Sequence, residues 1–263
     1  MLELQGIRKT FYPGTPNEKK ALNGVNLHLN AGDFVTIVGS NGAGKSTLFN
    51  AISGVFSVDE GTIRLDSKNI TNMKEYKRAY DIGRLFQDTM KGTAPNMTIE
   101  ENLALAYSRK AGKSFFAVNK QDREYFTELL KQLDLGLESR MKAKVGQLSG
   151  GQRQAVSLLM STISQPKLLL LDEHTAALDP ATAQKVLDIT TRIVSEGRIT
   201  TMMITHDMQA ALTLGNRTIM MDDGKIIFDI SGEERAKMTV EDLLECYHEN
   251  RRKKLTNDRM LLK

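Results

Sequence analysis

Continuous apolar runs recur along the chain, and they have the length of buried strands. Phe34–Val38, Leu168–Leu171, Thr200–Ile204 and Ile82–Phe86 each contain four or five residues that are mostly apolar. Such runs are typical of parallel strands that are covered on both faces. Segments with helical features follow several of them, so the pattern predicts an α/β fold.

Other predicted strands are separated by turn residues. Leu2–Leu4, Gly24–Leu29 and Gly61–Leu65 lie outside the apolar runs, and they are predicted to form an antiparallel layer. Near the other end of the chain, Met220–Phe228 has Asp223 and Gly224 at its centre, which predicts a hairpin.

Two helices are marked by their end signals. Lys45–Ile52 is predicted to be helical and to end near Gly54. Asp179–Pro180 places an N-cap residue before a proline at the first helical position. This second helix is expected to run to about Glu196 and to stop at Gly197.

The chain from about residue 88 to 148 is predicted to be an all-helical insertion. Thr98 and Glu101 have capping-box spacing ahead of an apolar segment. Asp122–Leu133 carries an apolar stripe with helical spacing that includes Phe126 and Leu130. We interpret this stripe as internal packing rather than as a partner surface.

Between the first apolar run and the first helix lies the pattern G-x-x-x-x-G-K-[ST], a phosphate-binding loop. Its glycines let backbone N–H groups approach phosphate oxygens, and the following helix directs its N-terminus at the anion. We expect Lys45 to reach the β- and γ-phosphates, Ser46 to bind Mg²⁺ and Thr47 to contact the α-phosphate. The predicted nucleotide-binding residues of this loop are Gly39, Ser40, Asn41, Gly42, Ala43, Gly44, Lys45, Ser46 and Thr47.

A second motif, Leu148-Ser-Gly-Gly-Gln152, follows about a hundred residues later. Ser149 and Gln152 have capping-box spacing, so a helix is expected to begin there. Gly150 and Gly151 leave the first-turn N–H groups uncovered, which is typical of an anion site. The residues alone do not identify the source of that anion.

Four further residues follow predicted strands. Asp172 ends the leucine run, where it would hold Mg²⁺ directly or through water, and Glu173 is the natural general base for an attacking water. His206 follows Thr200–Ile204 and is expected to contact the γ-phosphate. Gln87 follows the strand-like run before it and is expected to sense Mg²⁺ and the attacking water.

In this order and spacing, the motifs resemble those of the ATP-binding cassette (ABC) ATPases, specifically the separate nucleotide-binding subunit of a transporter. The likeness covers about residues 1 to 230 and leaves 231–263 as a short, helical, polar tail. It implies a P-loop NTPase (RecA-like) core with an N-terminal antiparallel β layer and a helical subdomain inserted at about 88–148.

The resemblance also implies ATP and Mg²⁺ as cofactors, and a second copy of the chain as a partner. In the family, the signature residues of one subunit meet the γ-phosphate bound by the other; here these are Ser149, Gly150, Gly151 and Gln152. The D-loop Asp179 belongs to the same nucleotide-binding set. An early aromatic residue stacks on adenine in the family; Phe11 and Tyr12 are the candidates, and we favour Phe11 because it follows Lys9-Thr10.

One position departs from the family pattern. The family usually has proline after the catalytic glutamate, whereas this chain has His174, which is expected to make the turn freer and to add a hydrogen-bonding group. The segment Glu173–Asp179 is similar to a bacterial subgroup that works with a separate permease and a solute-binding lipoprotein. Some of its members are linked to uptake of amino acids, including aromatic ones.

Composition limits the remaining possibilities. The chain has 263 residues, of which 40% are hydrophobic and 26% charged, as in ordinary globular proteins. No apolar run approaches the ~20 residues that span a bilayer, and the first residues do not resemble a signal peptide. We therefore expect a cytoplasmic protein that is peripheral on the inner face of the membrane, bound to an integral membrane permease. Cys246 is the only cysteine, so no internal disulfide is possible.

The net charge of +4 is mild, and no nucleic-acid partner is expected. The basic run Arg251–Lys254 is interpreted as a solvated helix face rather than as a membrane contact. The main alternative function is a soluble ABC ATPase that drives an assembly process such as iron–sulfur cluster scaffolding. A non-enzymatic binding module is disfavoured because Glu173 and His206 are both present.

Overall fold

A computed structural model describes residues 1–111 and 118–248. The basic run Arg251–Lys254 lies outside these residues. The strands are β1 Leu2–Phe11, β2 Lys19–Leu29, β3 Phe34–Gly39, β4 Glu60–Leu65, β5 Lys68–Asn69, β6 Ile82–Leu85, β7 Leu168–Asp172, β8 Thr200–Ile204, β9 Arg217–Asp222 and β10 Lys225–Ser231. The α-helices are α1 Lys45–Ser53, α2 Glu75–Arg78, α3 Ile99–Ala111, α4 Lys120–Gln132, α5 Gly150–Thr162, α6 Pro180–Gly197, α7 Met208–Thr213 and α8 Gly232–Lys237.

The chain forms two compact units. The first unit comprises Met1–Lys74 and the described chain from Met202 onward, and the second unit comprises Glu75–Thr201. Within the described residues, no helix is long and apolar enough to cross a bilayer.

The first unit contains the predicted antiparallel layer, a four-stranded sheet in the order β2–β1–β4–β5. Its first two strands are longer than predicted, since β1 continues to Phe11 and β2 begins at Lys19. The added residues are mostly polar and incompletely buried, so they carry no apolar pattern that would mark them as strand. The extended pair nevertheless aligns Phe11 with Lys19.

The second sheet of the first unit has the strand order β10–β9–β3–β8. β3 is parallel to β9, and all of its residues before Gly39 are buried, as the apolar run predicts. The predicted hairpin joins β9 to β10 through Asp223 and Gly224, which both have positive φ angles, of 48° and 72°. Two central residues with positive φ are characteristic of a type I′ hairpin turn.

The described part of the tail packs on this sheet. Leu243 is fully buried against Val38 of β3 and Met220 of β9, and Tyr247 packs at the edge of the same cluster. Arg235 of α8 is also buried, and its guanidinium donates to the backbone carbonyl of Ala211 at 3.1 Å. The segment therefore contributes apolar contacts behind the strand that leads into the phosphate loop.

The second unit contains the parallel pair β6–β7, with Ile82 opposite Leu168 and Leu85 opposite Leu171. Its helices include the predicted stripe, in which Phe126 and Leu130 are fully buried. The helix begins slightly earlier than predicted, at Lys120, because Asn119 forms the capping box with Asp122. The capping box at Thr98 is also present: Glu101 accepts hydrogen bonds from the Thr98 backbone amide and hydroxyl.

The prediction that Gly197 terminates α6 is wrong by one residue. Gly197 is the last helical residue, and Arg198 adopts the left-handed conformation at φ 48°. A Cβ on Gly197 would lie 3.0 Å from the buried side chain of Ile199, so the packing at this helix end is close. The left-handed conformation that ends the helix belongs to Arg198 and not to the glycine.

Candidate active site

The phosphate loop lies in the first unit and connects β3 to α1. Lys45 is almost fully buried, and its ammonium group donates to the backbone carbonyls of Gly39 at 2.7 Å and Ser40 at 3.0 Å. The Ser40 hydroxyl donates to Asp222 at 3.4 Å. Backbone carbonyls of the loop thus hold the Lys45 ammonium group.

The loop glycines are required by conformation and by space. Gly39, Gly42 and Gly44 have φ angles of 148°, 84° and 103°. A Cβ on Gly39 would lie 2.2 Å from the carbonyl oxygen of Met221, and one on Gly44 would lie 2.6 Å from that of Ala21. Any other residue at Gly39 or Gly44 would therefore push the loop off its sheet.

The start of α1 is suited to an anion. Gly44 is its N-cap and has no side chain to cover the first amides, and the first turn contains no acidic residue. Ser46 and Thr47 follow Lys45 in this turn. Uncovered amides and the helix dipole both favour a negative charge at this point.

His206 lies at the end of the first unit's sheet from which the phosphate loop leaves β3. The backbone amide of Thr205 donates to Ile37 of β3 at 3.1 Å, so the chain after β8 is anchored beside the strand that enters the loop. His206 is exposed there, and Asp207 caps α7 by accepting a bond from Ala210 at 3.0 Å.

The two aromatic candidates for adenine stacking differ in their surroundings. Phe11 ends β1 and makes an edge-to-face contact with Phe56, with ring centroids 5.4 Å apart. The Lys9 ammonium lies 5.8 Å from the Phe11 ring centroid. Tyr12 is 69% exposed and lies in the turn that follows, at φ 52°. Phe11 is thus the more firmly placed of the two rings.

The second unit holds the acidic residues. Asp172 ends β7 and is nearly buried, and a carboxylate oxygen lies 3.8 Å from a guanidinium nitrogen of Arg84. Burial lowers the pKa of Arg84, whereas the neighbouring Asp172 raises it, and an arginine remains protonated in either case. Arg84 was not identified from the sequence, although a charged residue within the strand-like run Ile82–Phe86 was the available signal.

Glu173 begins a tight turn that leads into α6. It has a left-handed φ of 46°, and its carbonyl accepts a hydrogen bond from Ala176 at 3.1 Å. A left-handed conformation is uncommon for glutamate and is sustained only where the surroundings require it. The turn ends at Asp179, whose carboxylate caps α6, and hydrogen bonds from Thr182 lower its pKa.

The signature motif begins α5 as predicted. Ser149 and Gln152 form a reciprocal capping box, with both bonds at 3.3 Å. The structure adds a packing reason for the two glycines. A Cβ on Gly150 would lie 3.1 Å from the Leu178 side chain, and one on Gly151 only 2.2 Å from that of Thr182. The glycines therefore let the start of α5 pack closely against Leu178 and Thr182.

Gln87 shares a cavity of about 390 Å³ with the signature and the turn. Gly150, His174 and Leu178 also line it. Buried against the same cavity is Gln154, whose side-chain nitrogen has no hydrogen-bond partner among the described residues. The structure thus brings together three features of the second unit that the sequence identified separately: Gln87, the signature and the acidic turn.

His174 corrects one expectation. Its imidazole is almost fully buried, and Nε2 lies 3.3 Å from the Thr190 hydroxyl of α6. The side chain is therefore anchored rather than free. The Thr190 hydroxyl donates to the carbonyl of Val186 at 2.8 Å, and we infer that it accepts from a protonated Nε2. Burial lowers the pKa of His174 from 6.5 to about 4, so the ring is neutral at physiological pH. The expected hydrogen bond is present.

Comparison with protein families decides the identity. A family model described as ABC transporter matches residues 22–176, which is more than half of the chain. The chain belongs to the ABC transporter family. The matched segment contains the phosphate loop, the signature and both acidic residues.

Curated relatives of this ABC protein extend over nearly its full length. A tyrosine transport ATP-binding protein of Clostridioides difficile (strain R20291) is 42% identical over 247 residues, which cover 94% of this chain and 98% of the relative. A methionine import ATP-binding protein of Clostridium tetani (strain Massachusetts / E88) is 32% identical and covers 86% of this chain and 68% of the relative.

Solved structures of ABC cassettes have the same fold. A cassette of an ABC transporter in its ADP conformation superposes with a TM-score of 0.78 at 30% identity, covering 94% of this chain and 98% of the other. A dimeric cassette in a post-hydrolysis state bound to ADP and Pi gives a TM-score of 0.77 at 30% identity, covering 88% and 98%. The predicted P-loop NTPase fold is confirmed, and this ABC protein is an ATP-hydrolysing subunit of a transporter.

Proposed function

We propose that this chain drives the import of an amino acid through a separate membrane permease. The single observation that carries the proposal is the 42% identity to a tyrosine transport ATP-binding protein, because it spans nearly all of both chains. Solute contacts are expected on other chains, and so the cargo is inferred from the relative. An aromatic amino acid is the first candidate.

The described residues support specific roles in the reaction. Lys45, held by the loop carbonyls, binds the β- and γ-phosphates. Glu173 is the general base that takes a proton from the attacking water, and His206 contacts the γ-phosphate. Phe11 stacks on the adenine. Positioning and charge stabilisation supply most of the catalysis in phosphoryl transfer of this kind.

In the second unit, the Asp172 carboxylate and the Gln87 amide oxygen are the proposed ligands of a magnesium ion, because Mg²⁺ prefers oxygen ligands together with phosphate and water. In the first unit, the Ser46 hydroxyl is the proposed ligand of Mg²⁺. When bound, the ion would neutralise charge on the phosphate oxygens.

A second copy of the chain completes each site in this proposal. Ser149 is exposed at the start of α5, so the helix end is accessible to a phosphate bound elsewhere. Gly150 is also exposed there, and Asp179 lies at the start of the neighbouring helix. ATP would favour the paired state because it contacts both copies, and hydrolysis would remove the γ-phosphate that joins them.

Capture from native membranes tests the partner. Tagged Glu173→Gln protein is loaded with ATP and isolated from detergent-solubilised membranes, and its companions are identified by mass spectrometry. We expect an integral membrane permease, with a solute-binding lipoprotein as a further expected companion. Recovery of soluble partners alone would overturn the transporter role for this chain and favour the assembly ATPase.

Uptake measurements test the cargo. A strain that lacks this chain is supplied with radiolabelled tyrosine, phenylalanine, tryptophan and methionine. We expect reduced uptake of at least one aromatic amino acid, which the wild-type chain restores and Glu173→Gln does not. Unchanged uptake of all four would contradict the proposed amino-acid cargo. It would not contradict the assignment of ATP hydrolysis to this chain.

A further inference from the structure

We propose that Lys19 is a further nucleotide-binding residue, whose ammonium group attracts the phosphate chain of the bound nucleotide. The residue belongs to none of the motifs identified in the sequence. The inference rests on the proposed roles of Phe11 and the phosphate loop, because Lys19 lies between these two features in the first unit.

Strand register places Lys19 beside the proposed adenine site. Phe11 of β1 is the direct cross-strand partner of Lys19 of β2. Directly opposed residues of an antiparallel pair project to the same face of the sheet. The lysine therefore lies on the face that carries the Phe11 ring.

The ammonium group of Lys19 also reaches the phosphate loop. A Cβ on Gly42 would lie 3.4 Å from Lys19 Nζ, which is the nearest atom outside Gly42 and its two chain neighbours. Gly42 belongs to the phosphate loop and lies three residues before Lys45. The loop therefore has a second ammonium group close to it, supplied by β2 rather than by the motif.

This charge is available to a ligand. Among residues 1–111 and 118–248, Lys19 has neither an ion pair nor a side-chain hydrogen bond, and it is exposed. Lys9 provides the contrast, since its ammonium is paired with Asp59 at 2.7 Å. A flexible, unpaired lysine within a few ångströms of a polyphosphate attracts it through solvent, so the effect is modest and screened by salt.

The test is nucleotide binding by Lys19→Gln, measured by calorimetry in EDTA so that no turnover occurs. At low salt, we expect the affinity for ATP to fall about three- to tenfold, and that for ADP to fall less because it carries less charge. In roughly 1 M salt the difference from wild type should largely disappear. Lys19→Arg keeps the charge and should bind as wild type does.

Lys20→Gln is the matched control. Lys20 is the adjacent lysine of β2, is also exposed, and pairs with Thr10 on the other face of the sheet. We expect it to bind ATP as wild type does. Equal losses in the two variants, an unchanged affinity of Lys19→Gln, or a loss that persists at high salt would each overturn the inference. Wild-type protein that fails to bind ATP would instead contradict the nucleotide site itself.

Discussion

The phosphate loop and the acidic turn at Asp172–Asp179 are both short segments after a buried strand, but they are held in place differently. Within the loop, Lys45 donates to carbonyls five and six positions away, and the Ser40 hydroxyl also bonds the distant Asp222. The acidic turn has a backbone bond of its own, from Ala176 to Glu173, but its side chains Asp172 and His174 contact Arg84 and Thr190, which are distant in sequence. The loop motif therefore includes the groups that hold Lys45, whereas the side-chain partners of the acidic turn lie outside its motif.

The largest expected effect tests the chemistry of the acidic turn. Glu173→Gln removes the proposed general base, and we expect kcat for ATP to fall by about 10²–10⁴. In the presence of ATP, a dimer of this variant should then accumulate, which size-exclusion chromatography with light scattering would detect. Glu196→Gln, an exposed glutamate at the far end of α6, is the control and should retain wild-type turnover. Normal hydrolysis by Glu173→Gln would remove this residue from the reaction.

The next effect concerns the pH dependence of stability at His174. Its pKa is lowered by burial from 6.5 to about 4, so the unfolded chain binds a proton more readily than the folded chain. The free energy of unfolding is therefore unaffected by this group above about pH 6.5, and it falls by on the order of 3 kcal/mol in total as the pH is lowered towards 4. Denaturant unfolding at several pH values, without nucleotide, measures it. His174→Gln should flatten this part of the profile; an identical profile would contradict the assignment.

Two glycines with positive φ, Gly39 and Gly32, separate the effect of space from that of backbone conformation. A Cβ on Gly39 would lie 2.2 Å from a backbone oxygen, whereas one on Gly32 meets no atom within 4 Å, although its φ is also positive, at 84°. Gly32→Ala should cost about 1 kcal/mol from conformation alone, and Gly39→Ala at least about 2 kcal/mol with a loss of ATP binding. Chemical denaturation and nucleotide titration of both variants test this. Equal costs would show that backbone conformation, not space, selects Gly39.

The smallest expected effect tests the anchor of the acidic turn. Thr190→Val leaves the buried Nε2–H of His174 without its acceptor, which should cost about 1–2 kcal/mol of stability. Thr190→Ser keeps the hydroxyl and should retain the hydrogen bond, so most of the loss should be avoided. Unfolding free energies of the two variants test whether this hydrogen bond stabilises the turn. If serine destabilises as much as valine, methyl packing rather than the hydrogen bond holds the turn.

Much of the fold could be predicted because its signals are local. The apolar runs located β3, β7 and β8, and capping residues located the starts of α5 and α6. The second half of β1 was missed, since its polar residues show no apolar pattern, and Gly197 was assigned to the wrong cap position. The length of β1 depends on pairing with β2, which is distant in sequence, and the end of α6 on the left-handed conformation of Arg198.

Residue types at fixed spacing were enough to locate the phosphate loop, the signature and Glu173, the proposed general base. Hydrogen bonds and conformational limits within a few residues suffice to define such motifs. Only the tertiary structure decided that Arg84 lies by Asp172, that His174 is buried on α6, and that Lys19 extends to Gly42. These contacts depend on strand register and on helix packing, which no local spacing encodes.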